Sequence, residues 1–126
     1  MYNNAYKKYQ DVEKSTISGR ETEARVLIQA AIKLQSCQKN WQNGYFEELD
    51  EALKFNQRIW TIFQTELTKK DNPLPTPIKR DLLRLAGFID KRIFSTMSSP
   101  SPEKLDIIIK INQNIAAGLR ESAPSA

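Results

Sequence analysis

The stretch ALKFNQRIWTIFQTELTKKDNPLP, residues 52–75, joins a strongly amphipathic helix pattern to an abrupt proline stop. On a helical wheel, the apolar side chains of this segment and of the turn before it spread over half of the circumference. A surface helix of a small domain needs an apolar stripe of only roughly 100°. The side chains concerned are Leu49, Ala52, Leu53, Phe55, Ile59, Trp60, Ile62, Phe63 and Leu67. We therefore expect this helix to contact more than one neighbour.

Apolar spacing and helix punctuation predict five helices along the chain. Ser18 and Glu21 have the spacing of a capping box at the start of the second helix. Thr76 with Pro77 and Ser101 with Pro102 have the pattern of a helix cap followed by a proline in the first turn. Gly118 has the character of a helix end. The predicted helices cover about residues 3–14, 18–41, 46–68, 76–97 and 102–118.

These helices predict an all-α fold, a single-domain bundle of about five helices with short proline-rich linkers over residues 1–126. Tyr2, Tyr6 and Tyr9 share one face of the first helix, and we expect them to pack on the bundle. The helix over residues 1–17 could also swing away and uncover a groove. Residues 121–126 have the composition of a frayed tail.

The composition excludes several kinds of chemistry. Histidine is absent, which removes the most common general base, and Cys37 is the single cysteine in the chain. No glycine-rich phosphate-binding motif is present among four glycines. The sequence therefore predicts a protein that is not an enzyme and has no metal site and no cofactor. The lone cysteine, the lack of a secretory signal and the lack of a long apolar run predict a cytoplasmic location without membrane insertion.

The wide apolar faces have more than one interpretation. On the last helix, the apolar side chains from Leu105 to Leu119 also cover more of the wheel than one contact requires. Both helices could be central in the bundle and covered by the others. Alternatively, part of the surface could be a groove for an amphipathic helix of another protein, or the interface of a homodimer. The sequence does not determine the oligomeric state.

Two asparagines lie in the middle of these apolar faces. Asn56 and Asn112 occur in similar local sequences, KFNQRI at 54–59 and KINQNI at 110–115. A buried amide without partners costs on the order of 1–3 kcal/mol, so each should be hydrogen-bonded. They could bond each other or the backbone and fix the helix register, as a buried asparagine can. Otherwise they face a bound chain and contact its backbone.

The positive charge of the chain is concentrated in one segment. The net charge is +4, and the surplus lies within residues 69–92, whereas the rest of the sequence is balanced. Arg80, Arg84 and Lys91 share one side of the fourth helix, and Lys79 precedes them. Such a stripe can be a solvated face, or it can contact phosphates or an acidic partner. These four residues are the candidates for a polyanion or acidic-partner contact.

Five blocks of sequence along most of the chain have a pattern found in a known family. They are YKKYQ (6–10), ETEARVLIQAAIKLQ (21–35), FNQRIWTIFQTEL (55–67), DNPLP (71–75) and SPEKLDIIIKINQNIAAGL (101–119). The blocks around Trp60 and in the proline segment that follows are the most specific. Through these blocks the sequence resembles the flagellar biosynthesis regulator FlaF family of α-proteobacteria from about Met1 to Leu119.

The resemblance implies a small cytoplasmic protein that is needed for flagellin production. FlaF-like proteins are associated with flagellin synthesis and export and with the regulator FlbT, which acts on flagellin messenger RNA. Flagellin is then the expected partner, bound by a secretion chaperone that covers its terminal helices. The alternative is a post-transcriptional regulator that acts with FlbT on RNA. The expected flagellin-binding residues are Phe55, Asn56, Ile59, Trp60, Ile62, Phe63, Ile108 and Asn112.

Overall fold

The computed structural model describes the backbone of residues 2–43 and 46–121 and the side chains of residues 19–43 and 46–121. Within these ranges the chain is all-α and contains no strand, which confirms the predicted fold class. The described chain forms α1 Tyr2–Lys39, α2 Phe46–Leu67, α3 Thr76–Ser98 and α4 Asp106–Glu121. Short 3-10 helices at Trp41–Asn43 and Pro102–Leu105 precede α2 and α4.

The number of helices is one fewer than predicted. The two helices expected at about residues 3–14 and 18–41 form the single helix α1, so the capping box at Ser18 does not start a helix. A glycine inside a helix costs only about 1 kcal/mol, so Gly19 is not enough to end one. The Glu21 carboxylate is also engaged elsewhere, because it accepts from the Arg120 guanidinium at 3.3 Å.

Some predictions fall outside the described residues. The packing of the tyrosine side chains at positions 2, 6 and 9 lies there, as do residues 122–126 of the predicted frayed tail. The proposed mobility of residues 1–17 stays a prediction.

The helix ends lie close to the residues that the capping and proline patterns predicted, with small shifts. Pro75, not Thr76, occupies the cap position of α3, and Pro77 is within its first turn. Ser101 does occupy the cap position before Pro102, but its side chain makes no cap hydrogen bond. Gly118 was expected to end the last helix, yet it keeps helical backbone and α4 continues to Glu121. The free-energy cost of one glycine in a helix, about 1 kcal/mol, is again too small to end the helix.

Helices α1 and α4 run antiparallel and lie close together along their length. Gln38, near the end of α1, donates to the Asp106 carboxylate at 2.6 Å, and Arg120 bonds Glu21 at the opposite end. Alanines make the close approach possible, because small side chains let helix backbones come together. On these two helices the alanines at 0–1% exposure are Ala24, Ala30, Ala31 and Ala116.

Helix α2 packs between α1 and α3, and its side chains also reach α4. This position accounts for its wide apolar face. Trp60 is 2% exposed and lies in the core. Six apolar side chains of the face are buried in the bundle: Leu49, Ala52, Leu53, Ile59, Trp60 and Leu67. For these six side chains the interpretation of α2 as a central helix covered by its neighbours is confirmed, whereas Phe55 and Phe63 are half-buried and Ile62 is exposed.

Candidate binding surfaces

Asn56 and Asn112 form a closed hydrogen-bond network in the core, which we call the asparagine seam together with Trp60. The Asn112 amide nitrogen donates to Asn56 Oδ1 at 2.6 Å, and the Trp60 indole nitrogen donates to Asn112 Oδ1 at 2.9 Å. The Asn56 amide nitrogen donates to the carbonyl oxygens of Ala30 and Ala52 at 3.2 and 2.9 Å. The seam therefore ties α2 to both α1 and α4.

The geometry of the seam decides between the two interpretations of the asparagines. Both side chains are 0% exposed, and no buried side-chain nitrogen or oxygen among the described residues lacks a hydrogen-bond partner. A buried amide whose bonds are all made within the chain fixes one register of the helices around it. The prediction that the asparagines bond each other and the backbone is confirmed. Neither amide is available to another chain in this conformation.

Burial divides the eight residues that were expected to contact flagellin. Phe55 and Phe63 are half-buried, and Ile62 is 56% exposed. These three side chains are accessible to a partner. Five are enclosed at 0–7% exposure, namely Asn56, Ile59, Trp60, Ile108 and Asn112. The structure thus corrects their assignment to a surface, because their apolar and amide groups are already used in the core.

A half-open apolar pocket lies where the end of α2 meets the other three helices, and we call it the bundle-end pocket. Its volume is about 110 Å³. The Trp60 and Phe63 rings, which meet edge to face with centroids 5.8 Å apart, form part of its wall. The rest of the apolar lining comes from Leu67, Leu74, Leu82, Ile115 and Leu119. A pocket of this size accommodates one aliphatic side chain.

Two carboxylates lie at the bundle-end pocket. Glu23 and Glu66 both line it, and Glu66 is bonded to Lys69 at 2.8 Å. Partial burial raises the pKa of the Glu23 carboxyl, the nearby Glu66 raises it further, and Arg20 opposes the change. The ionised Glu23 carboxylate therefore destabilises the folded state, since burial disfavours the ionised form.

The accessible flank of α2 leads along the helix to this pocket. Phe55 and Ile62 are seven residues apart and so lie on the same side of α2, and Glu66 follows one turn later. The Lys33 ammonium lies 4.9 Å from the centroid of the Phe55 ring, which is a cation–π contact between α1 and α2. The flank and the bundle-end pocket together are the accessible parts of the apolar face of α2 defined above.

A second concavity lies between the end of α2 and the first half of α3, and we call it the basic hollow. It is shallow, with a volume of about 580 Å³. Its lining is formed by Leu67, Thr76, Lys79, Arg80, Leu83 and Arg84. Three of the four cations proposed from the sequence are thus brought together. Lys91 lies seven residues beyond Arg84, on the same side of α3 but outside the hollow.

Sequence reasoning missed the residues that complete both concavities. Leu74 belongs to the proline segment, which the sequence marked only as a stop. Its position is fixed by Asn72, whose Oδ1 accepts from the Leu74 backbone N–H at 3.0 Å and whose amide donates to the Glu66 carbonyl. Leu83 lies off the core stripe of α3, between Leu82 and Arg84. An apolar residue among basic ones was the available signal for it.

The described part of the chain contains neither a cluster of metal ligands nor a membrane-spanning helix. No group of three or more potential ligands among these residues could hold a metal ion. No helix there is both long enough and apolar enough to cross a bilayer. The Cys37 thiol is buried, and burial together with Glu48 raises its pKa to about 11. A protonated, shielded thiol is a poor nucleophile and a poor ligand.

The fold and these surfaces define a class of protein, a small helical bundle with a closed polar seam and two open concavities at one end. The model of the flagellar protein FlaF family matches residues 5–119, nearly the whole chain. The chain therefore belongs to the FlaF family, as its sequence blocks predicted, and has a flagellar role. No curated protein and no solved structure matches it.

Proposed function

We propose that this protein is a cytoplasmic secretion chaperone or adaptor for flagellin, which covers the aggregation-prone terminal helices of that subunit. Membership of the FlaF family supports a flagellar role. The observation that carries the rest of the proposal is the bundle-end pocket, an open apolar site of about 110 Å³ beside an accessible apolar flank. The function requires neither catalysis nor a cofactor.

The chemistry of the site suits an amphipathic helix. One aliphatic side chain of the ligand enters the bundle-end pocket, and its burial contributes about 2 kcal/mol. The next turns of the ligand lie along Phe55 and Ile62, as in helix-in-groove recognition. Because these contacts are apolar, the affinity should depend little on salt. A flagellin terminal segment that orders on this surface would lose its tendency to aggregate.

The test is a co-purification of this protein with flagellin, either full-length or lacking its terminal helical segments, at low and at high salt. We expect retention of the full-length form only, at both salt concentrations. Retention of neither form, or equal retention of both, would contradict the proposal.

A pair of phenylalanine variants locates the site. Phe63→Ala removes a wall of the bundle-end pocket and should reduce flagellin capture about tenfold. Phe94→Ala is the matched control, since Phe94 is 74% exposed and is not part of the lining of the pocket. Trp60→Ala is unsuitable, because it would break the asparagine seam. Equal capture by both variants would place the contact elsewhere.

The alternative function, regulation of flagellin messenger RNA with FlbT, would use Lys79, Arg80, Arg84 and Lys91. Their clustering on α3 is the observation in its favour. RNA binding of this kind falls steeply as salt rises, whereas the proposed flagellin contact does not. A charge-reversal variant of Arg80 and Arg84 should abolish RNA binding and leave flagellin capture unchanged.

A further inference from the structure

The basic hollow differs from the bundle-end pocket in its charge. The lining of the hollow combines three cations, Lys79, Arg80 and Arg84, with the apolar side chains of Leu67 and Leu83. Leu67 also lines the bundle-end pocket, so the two concavities adjoin, but the cations line the hollow alone. The hollow is therefore a separate surface in which apolar and positively charged groups are combined.

The cations of α3 have no carboxylate partner within the described residues. The ion pairs found there join Glu21 to Arg25 and Arg120, Asp50 to Lys54, and Glu66 to Lys69. None of them involves α3. Helix α3 does carry two acids, Asp81 and Asp90, but they lie on either side of the stripe formed by Arg80, Arg84 and Lys91. The stripe thus presents uncompensated positive charge.

The same side of α3 offers room and further apolar surface. A Cβ added at Gly87 would meet nothing within 4 Å, so the chain's own packing does not require a glycine there. A glycine inside a helix costs about 1 kcal/mol relative to alanine, and its bare backbone lets another helix approach closely. Phe94, two turns further on, is 74% exposed. Leu83, Gly87 and Phe94 lie beside the basic stripe along α3.

We propose that the basic hollow and the adjoining face of α3 bind an acidic amphipathic helix of a partner protein. An apolar residue of that helix would sit on Leu83 in the hollow, and carboxylates beside it would pair with Arg80 and Arg84. Arginine suits this role, because its guanidinium forms bidentate hydrogen bonds with a carboxylate. This surface is distinct from the proposed flagellin site.

The lining of the hollow favours a protein helix over nucleic acid. The apolar lining of the hollow itself is leucine, which can bury an aliphatic side chain, and the exposed Phe94 ring of the adjoining face lies outside the hollow. Asp81 and Asp90 repel phosphates and glutamates alike, so the apolar lining makes the difference. A peptide helix can bring aliphatic side chains to Leu67 and Leu83, which a phosphate backbone cannot do.

The experiment uses fluorescence anisotropy with synthetic probes and the full chain. The probe is a helical peptide of about five turns with leucines on one face and glutamates beside them. Matched peptides carry glutamine or lysine in place of every glutamate, and a uridine oligoribonucleotide represents nucleic acid. We expect the glutamate peptide to bind about tenfold more tightly than the glutamine peptide, and the lysine peptide to bind least.

Two double charge reversals separate the site from the overall charge. Arg80→Glu with Arg84→Glu should weaken the glutamate peptide about tenfold, because both pairs become repulsive. Lys39→Glu with Lys110→Glu makes the same charge change at exposed positions on α1 and α4 and should alter binding less than about twofold. Thermal unfolding of each variant checks that the bundle is intact, and flagellin capture should be unchanged in both.

Three results would overturn the proposal. The glutamate and glutamine peptides could bind equally or not at all. Both double reversals could weaken binding to the same extent, which would show a response to net charge alone. The oligoribonucleotide could bind more tightly than the glutamate peptide and be released by Arg80→Glu with Arg84→Glu, which would assign the surface to nucleic acid.

Discussion

The asparagine seam and the outer face of α3 differ in whether their polar side chains have partners within the chain. In the seam, the Asn56 and Asn112 side chains are 0% exposed and their hydrogen bonds are made within the chain. On α3, Arg80 and Arg84 have no carboxylate partner among the described residues, and Phe94 is 74% exposed. A wide apolar face therefore shows that a helix is central in its own bundle. Groups left without partners are the better guide to binding.

The difference follows from the positions of the helices. Helix α2 lies against α1 and α3 and reaches α4, so its broad face is covered from several directions. Helix α3 packs mainly against α2, which leaves its far side to solvent. Part of its apolar face stays open along the flank of Phe55 and Ile62 and, where α2 ends, at the bundle-end pocket.

The largest effect is expected from breaking the seam on one side. Asn112→Leu keeps the number and branching of the side-chain heavy atoms but leaves the Trp60 indole N–H without its acceptor and Asn56 Oδ1 without its donor. Two unsatisfied buried groups should lower the free energy of unfolding by about 2–4 kcal/mol, measured by urea denaturation. Gln113→Leu, at an exposed neighbouring position on α4, should change it by less than about 0.5 kcal/mol.

The double variant tests whether the seam is a coupled network. Asn56→Leu with Asn112→Leu removes both amides, so it should be less destabilising than the sum of the single changes by about 1 kcal/mol. Additive effects would mean that the two asparagines act independently. The seam would then not be the coupled network that distinguishes it from the face of α3.

A smaller effect of opposite sign is expected on α3. Gly87→Ala should raise the free energy of unfolding by about 0.5–1 kcal/mol, because the added methyl group meets open space and alanine favours the helix. Chemical denaturation measures the change. Gly118→Ala on α4 is the matched variant, with equally open space, and should give a similar gain. A loss of stability in Gly87→Ala alone would show that this face is packed within the protein.

The smallest effect concerns Glu23, at the bundle-end pocket. Its pKa is raised by folding, so the folded protein holds this proton more tightly and stability falls as the pH rises through that pKa. Glu23→Gln removes the charge and should raise the Tm at neutral pH, a difference that disappears below about pH 4. Glu51→Gln, at an exposed position on α2, is the control for the loss of one carboxylate and should change the Tm at neutral pH less than Glu23→Gln does. A lower Tm for Glu23→Gln at neutral pH would contradict the assignment.

Much of the fold follows from local pattern. The proline segments end α2 and start α3 and the 3-10 helix before α4, because proline cannot donate to a helix ladder. The structure has these boundaries within a residue or two, whereas α4 itself begins at Asp106, four residues after Pro102. The family, too, was recognisable from blocks such as FNQRIWTIFQTEL. The break expected at Ser18 was wrong, because a capping pattern competes with the continuation of α1 and its outcome depends on the contact between Glu21 and Arg120.

The sequence by itself determined that the chain is helical, which faces are apolar, and that its surplus charge lies between Lys69 and Arg92. Only the tertiary structure decided which side of each apolar face is covered by another helix. Trp60 and Asn112 are 52 residues apart, yet they share a hydrogen bond. Helical periodicity is a local property, whereas burial depends on which distant helix covers a given flank. The same amphipathic pattern therefore yields a sealed seam at Asn56 and an open pocket at Phe63.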